Sequence, residues 1–165
     1  MQCINPFQLK HDGNEIPVNC GKCPPCLKRR VSHWAYRLVI ESRARLSVPS
    51  FVTLTYAPQN MPITKNGFMT LEKRDLQLFF KRLRKANAQR YNIFEPIKYF
   101  AAGEYGTHTK RPHYHIIMFG AHHNAIPFAW SLDGHQLGHV HIGRVSEASI
   151  QYCLKYIHKK GYSKT

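Results

Sequence analysis

The run RPHYHIIMFG, residues 111–120, limits what this chain can fold into more than any other stretch. Read as a strand, it alternates: His113, His115, Ile117 and Phe119 share one face, and Tyr114, Ile116 and Met118 the other. Beyond the histidines both faces are apolar. A strand of that kind belongs inside a sheet covered on both sides, with its two imidazoles near one end.

The preceding stretch, IKYFAAGEYG, reads as the partner strand of a hairpin. With the turn centred between His108 and Thr109, residue 104 falls opposite residue 113, and residue 104 is a glutamate. A lone His-x-His is more often structural than ligating. A carboxylate facing it makes Glu104, His113 and His115 a candidate metal set, with open positions that suit Mg²⁺ or Mn²⁺ acting as a Lewis acid. The same three side chains would also hold zinc. A second His-x-His, HVHIG, puts His139 and His141 on a face that continues with Gly143, with no carboxylate at the equivalent upstream position. That pair reads as a polar strand face open to DNA. His122 and His123 read as surface residues.

The other elements follow from periodicity and breakers. Residues 1–23 read as irregular, punctuated by Pro6, Gly13, Pro17 and Gly21. A helix begins at Pro24 or Pro25 and continues until Pro49 stops it, with Val31, Trp34, Leu38 and Ile40 or Glu41 at helical spacing. SFVTLTYAP is a β-branched strand closed by Pro58. Thr70 reads as the N-cap of a second helix that buries Leu76, Phe79, Phe80 and Leu83 and turns Lys81, Arg82, Arg84 and Lys85 outward. A short helix around Pro127–Leu132, a strand HVHIGRV and a last helix capped by Ser146, from about Glu147 to Lys160, complete the order. This mixture predicts an α+β fold: a central, mainly antiparallel sheet flanked by helices, forming one domain over residues 1–165.

The last helix carries QYCLKYIHKK. At about 100° per residue, Ile150, Cys153, Leu154 and Ile157 fall on one side. Tyr152, Tyr156, Lys155 and Lys159 fall on the other, so the tyrosines leave the aliphatic stripe and share a face with two lysines. Ordinary surface tyrosines would fit that face. So would two nucleophiles: a phenol of pKa about 10 attacks poorly at neutral pH, and a neighbouring ammonium favours its phenolate and steadies charge on a phosphate.

Charge points the same way. The chain carries 24 Lys and Arg against 9 Asp and Glu, a formal net charge of +15. The basic residues are spread through folded segments, which favours nucleic acid as the partner. Candidate contacts are Lys28, Arg29, Arg30, Arg37, Lys81, Arg82, Arg84, Lys110 and Arg111, with Tyr105 available to stack an unpaired base. No apolar run approaches the roughly 18 residues of a membrane span, and no N-terminal segment reads as a signal peptide, so a cytoplasmic protein is expected. Without export, clustered cysteines suggest metal. Cys20, Cys23 and Cys26, with Cys3 as a fourth ligand, form a candidate structural Zn²⁺ site within an N-terminal extension over residues 1–26; free thiols are the alternative. Cys153 reads as core.

Three elements stand together: FVTLTY, HYH with Glu104 before it, and YCLKYIHK. In this order they resemble the HUH endonuclease superfamily, which initiates rolling-circle replication. The doubled Tyr-x-x-Lys resembles the replication initiators of small single-stranded DNA phages of the microvirus type. CGKCPPCLKRRVSHWAYRL resembles the opening of the gokushovirus initiators within that group. The resemblance implies an HUH/Rep nuclease sheet related to the RNA-recognition fold. It implies nicking of single-stranded DNA at an origin to leave a 5′-phosphotyrosine and a 3′-hydroxyl, with later strand transfer and ligation. By match, His113, His115 and Glu104 hold the metal, Tyr152 and Tyr156 are the nucleophiles, and Lys155 and Lys159 support them. It further implies a monomer working in the cytoplasm of a bacterial host beside that host's replication machinery. The end at Thr165, just after the motif, reads as the nicking part of a longer initiator. The competing readings are a transposase or relaxase of the same superfamily, a non-catalytic zinc-stabilised nucleic-acid-binding module, and a metal hydrolase that uses water.

Overall fold

Tyr114, Ile116 and Met118 are buried towards one side of a sheet and Ile117 and Phe119 towards the other. A computed structural model describes residues 2–45 and 47–157. Lys159 and the end of the expected last helix lie outside the described residues.

The elements in chain order are β1 (Phe7–His11), β2 (Asn14–Val18), α1 (Pro24–Ala44), β3 (Ser50–Thr55), a 3₁₀ turn (Pro58–Asn60), α2 (Lys73–Tyr91), β4 (Lys98–Tyr105), β5 (Pro112–Phe119), α3 (Ala125–Ala129), β6 (Ser131–Leu132), β7 (His135–Gln136), β8 (Val140–Arg144), α4 (Glu147–Leu154) and a second 3₁₀ turn (Lys155–Ile157). The main sheet has the order β4-β5-β3-β8 with every pair antiparallel. The α+β class and the interior place of the histidine strand are therefore as the sequence predicts.

Each face of the sheet has its own helical cover. Val52, Leu54, Tyr114, Ile116 and Met118 pack against Phe79, Phe80 and Leu83 of α2, and against α3 and Trp130. Phe51, Phe100, Ile117 and Phe119 pack against Trp34 and Leu38 of α1 and Ile150, Cys153 and Leu154 of α4. Each fully buried aliphatic or aromatic side chain contributes about 1.5–3 kcal/mol. α1 runs beside β4 in the opposite sense. Arg45 pairs with Glu95 and donates to the Pro96 carbonyl, Glu41 accepts from Lys98 Nζ at 2.8 Å, and the Trp34 ring meets Phe100 edge-on at 5.1 Å. Glu41 is the half-buried member of that turn, and Ile40 is exposed.

Four sequence expectations need correction. Residues 1–23 are not irregular, because β1 and β2 form a hairpin. Asp12 and Gly13 both take positive φ, 50° and 78°, the two-residue turn whose twist matches paired strands. Thr70 does not cap α2. Its amide donates to the Pro62 carbonyl instead, and the Glu72 carboxylate accepts from the Arg74 amide at 2.9 Å. The short helix ends at Ala129, because the Asp133–Gly134 turn, both residues at positive φ, folds the next residues into β6 and β7. α4 is capped by Ser146, as expected, through a reciprocal box with Ser149, but it tightens into the 3₁₀ turn after Leu154. His122 is half-buried, its ring stacked on Tyr91 at 3.9 Å, so it is not a plain surface residue.

β8 is held against β3 at an unusually close approach. A Cβ on Gly138 would stand 2.0 Å from the Thr55 carbonyl oxygen, so only glycine fits there. That closure lets Thr55 accept from Trp130 Nε1 and donate its amide to the His139 carbonyl. Among the described residues no helix is long and apolar enough to cross a membrane.

Candidate functional site

The β4–β5 register pairs Glu104 with His113, the partner expected from the hairpin count. The β3–β5 register adds Thr53 opposite His115 and Thr55 opposite His113. Cross-strand partners point to the same face, so the histidines, Glu104 and both threonines share the face that α4 covers. The sheet and the 3₁₀ turn after α4 meet around one carboxylate oxygen. Glu104 Oε2 accepts from the Tyr152 hydroxyl at 2.7 Å, with His115 Nε2 at 3.0 Å and His113 Nε2 at 3.4 Å.

The orientation of both imidazoles fits a metal. His113 Nδ1 donates to the Arg111 carbonyl, and His115 Nδ1 bonds Thr53 Oγ1, each at 3.0 Å. A carbonyl can only accept, so His113 carries its proton on Nδ1 and presents the Nε2 lone pair towards Glu104. His115 also stacks on Phe51 at 5.6 Å. Burial, then the neighbouring His113, lowers the affinity of His115 for a proton, which favours the neutral, ligating form. The ligand atoms of Glu104, His113 and His115 lie within 4.8 Å of one another, so the three residues fit a divalent cation. Sequence reading does not single out Thr53. The register of β3, which no local pattern encodes, brings it to His115.

Both tyrosines reach this centre. The rings of Tyr152 and Tyr156 lie 4.9 and 6.5 Å from the His115 ring and 5.8 Å from each other. Lys155 Nζ stands 3.4 Å from the centre of the Tyr152 ring and 4.9 Å from that of Tyr156. Burial alone would raise the Glu104 carboxyl. The hydroxyls of Tyr156 and Tyr152, with the charge of Lys155 and then of His115, outweigh it and bring the group down to about 2. Burial and the Glu104 carboxylate push both phenols up, so in this arrangement Tyr152 and Tyr156 are hydrogen-bond donors rather than phenolates. The aliphatic side of the helix behaves as the projection predicts: Ile150, Cys153 and Leu154 are buried.

A second cluster forms at the N-terminus. The sulfurs of Cys3, Cys20, Cys23 and Cys26 lie within 4.8 Å of one another. The amides of Lys22 and Cys23 donate to Cys20 Sγ, and the Cys20 amide donates to Cys3 Sγ. The Ile4 amide favours the Cys23 thiolate and brings it down to about 6, while burial and the Cys23 sulfur push Cys26 up to about 11. Four converging sulfurs fed by amide donors fit tetrahedral zinc. Among the described residues these two clusters are the groups able to hold an ion. His139 and His141 belong to neither. His141 pairs with Thr53 and stands exposed on the edge strand β8.

The candidate DNA contacts divide between two faces. Arg29, Arg30 and Arg37 are exposed on α1, and Lys110 and Arg111 lie in the β4–β5 turn beside His113, where Arg111 also donates to the Tyr56 carbonyl. Lys81 and Arg84 are exposed on α2, which covers the opposite face of the sheet; Arg84 lies over Phe80. Arg82, beside them, is tied to the Ala129 carbonyl. Tyr105 is exposed, with its hydroxyl close to Thr70 Oγ1 and the Leu71 amide.

The family model for the replication-associated protein ORF2 group matches residues 49–161. The chain is 36% identical to the replication-associated protein ORF2 of Spiroplasma virus 4 over 62% of its own length and 31% of the relative's. It is 32% identical to the replication-associated protein ORF4 of Chlamydia phage 1, over 64% of the chain and 24% of the relative. It is 34% identical to the replication-associated protein VP4 of Bdellovibrio phage phiMH2K, over 61% and 30%. The matched stretch thus spans less than a third of the length of each. No solved structure matches the chain.

Proposed function

The chain belongs to the replication-associated protein ORF2 family, and on that footing we propose that it is the nicking domain of an HUH-type replication initiator, cutting and rejoining single-stranded DNA at an origin through a phosphotyrosine. The observation that carries this reading is the convergence on Glu104 Oε2 of one tyrosine hydroxyl and two imidazoles. A hydrolase that used water would need the imidazoles and the carboxylate but not the tyrosine.

Glu104, His113 and His115 would hold Mg²⁺ or Mn²⁺, which when bound supplies positive charge to the scissile phosphate and offsets the Glu104 charge. The protein's own groups do the rest. Glu104 and His115 position the Tyr152 phenol. In the cut, the Tyr152 oxygen bonds to phosphorus and loses its proton, while the bond from phosphorus to O3′ breaks. O3′ keeps the electron pair, takes up a proton and leaves as a free 3′-hydroxyl. Rejoining reverses this: a 3′-hydroxyl attacks the phosphotyrosine and the phenol departs. Lys155 lies within reach of both rings, so one ammonium can favour either phenolate. Tyr156 beside it would then serve as the second nucleophile, and Lys159, outside the described residues, as its further support. The four-cysteine cluster would hold a structural Zn²⁺. The chain would act as a monomer on origin DNA in the cytoplasm of a bacterial host, alongside the host replication machinery.

The test is a denaturing gel after incubation of the protein with single-stranded DNA and Mn²⁺. A covalent protein–DNA adduct is expected, absent from the Tyr152→Phe/Tyr156→Phe double variant. Cleavage without adduct would indicate hydrolysis by water, and binding without cleavage a non-catalytic module.

A further inference from the structure

The family match begins at residue 49 and leaves α1 and the cysteine cluster outside it. That segment carries a site of its own. A cavity of about 290 Å³ opens on the N-terminal half of α1, lined by Gly21, Arg29, Arg30, His33, Trp34 and Arg37 beside Cys26. Three guanidiniums line it and no carboxylate does. The first turn of α1 holds no acid either. The acid nearest along the helix, Glu41, is already bonded to Arg45 and Lys98. Among the described residues no ion pair involves Arg29, Arg30 or Arg37.

The pocket is built rather than incidental. Gly21 lies between Cys20 and Cys23, and its carbonyl accepts from Arg30 Nη2 at 3.3 Å, so the cysteine loop fixes one wall. The Arg37 guanidinium lies 5.3 Å from the centre of the Trp34 ring, which places a flat cation and an aromatic side by side. Its position relates it to the tyrosines. Successive contacts of Arg45, Glu41 and Trp34 with residues 95, 98 and 100 show that α1, followed back towards its N-terminus, heads for the end of β4 that carries Glu104. The turn bearing Lys155 and Tyr156 packs against the same helix.

We propose that this pocket is a phosphodiester-binding subsite for single-stranded DNA, which grips the strand on one side of the tyrosine centre. Arg29 and Arg37 take backbone phosphate oxygens, Arg30 sets the wall, and Trp34 under Arg37 offers a stacking surface to a base. The proposal rests on the DNA reading above for its ligand but not on any chemistry at the tyrosines, so it is tested without cleavage.

Binding of a fluorescent oligothymidylate is measured by anisotropy over a range of salt, in the Tyr152→Phe/Tyr156→Phe background. Arg29→Gln with Arg37→Gln should weaken binding severalfold and lower the salt slope by about 0.7 for each phosphate no longer held. Lys73→Gln with Lys85→Gln, which removes the same charge from α2 on the far face, should leave the slope nearly unchanged. Equal losses from both pairs, or none from the first, would overturn the proposal. So would preferential binding of the wild-type chain to vesicles of phosphatidylglycerol over the oligonucleotide. If the arginine variants melt early, the wild-type chain decides: photo-crosslinking to a 5-iododeoxyuridine oligonucleotide should give adducts within residues 27–37, and adducts confined to other peptides would refute the subsite. A failure of nicking with these binding results intact would count against the tyrosine chemistry alone.

Discussion

The Tyr152 hydroxyl donates to Glu104 Oε2 at 2.7 Å, joining residues 48 positions apart and tying the nucleophile helix to the candidate metal set. The carboxylate thus does two jobs: it would ligate the cation, and it positions the phenol that attacks. His115 lies against both, with its Nε2 on the carboxylate and its ring edge-on to Tyr152.

Glu104→Gln keeps the shape of the site and removes its charge. Affinity for Mn²⁺, measured by calorimetry, should fall at least about tenfold, since even supporting residues of metal sites are worth that much. Unchanged affinity would remove Glu104 from the ligand set.

Thr53→Val removes the oxygen that holds His115 Nδ1 while keeping the β-branched shape that suits β3. Mn²⁺ affinity should drop by about 10–100-fold with little change in melting temperature. Thr55→Val, whose hydroxyl donates to the His139 carbonyl instead, should leave the affinity near wild type.

The purified chain should carry zinc at close to one ion per chain, measured by elemental analysis. A chelator should lower its melting temperature, because structural zinc binding contributes directly to folding. Cys23→Ser should lose the ion. Cys153→Ser should keep it and cost about 1–3 kcal/mol of stability, because the hydroxyl would be buried in the apolar core between β5, α1 and α4. A metal-free chain whose melting ignores chelator would contradict the zinc assignment.

Gly138→Ala would place a methyl group against the Thr55 carbonyl and the Ala57 amide. β8 would have to move off β3, at a cost of about 1–3 kcal/mol in urea unfolding. Its effect on Mn²⁺ affinity should be small, because β8 carries none of the three ligands.

The site is legible in the sequence where a short-range rule governs it. Alternation on β5 and the count across one hairpin suffice to bring Glu104 to His113, and helical periodicity suffices to separate Tyr152 and Lys155 from Ile150 and Cys153. Long-range register is a different matter. Nothing local indicates that Thr53 of β3 meets His115, or that the tyrosine turn closes on Glu104 rather than elsewhere on the sheet. The N-terminal hairpin escapes for another reason: Asp12–Gly13 is a strong turn signal, but β1 and β2 bury little, so no hydrophobic alternation marks them as strands. Thr70 misleads as a cap because a turn before the helix claims its backbone, a competition visible only once Pro62 is in place.

The central claim is a phosphodiester transferred to a tyrosine, and peptide mapping of the adduct tests it most directly. After reaction with single-stranded DNA and Mn²⁺ and nuclease trimming, mass spectrometry should find a nucleotide 5′-phosphate on Tyr152 or Tyr156, with the signal moving to the other tyrosine when one is changed to phenylalanine. Cleaved DNA with both tyrosines unmodified, or an adduct that persists in the double variant, would contradict it.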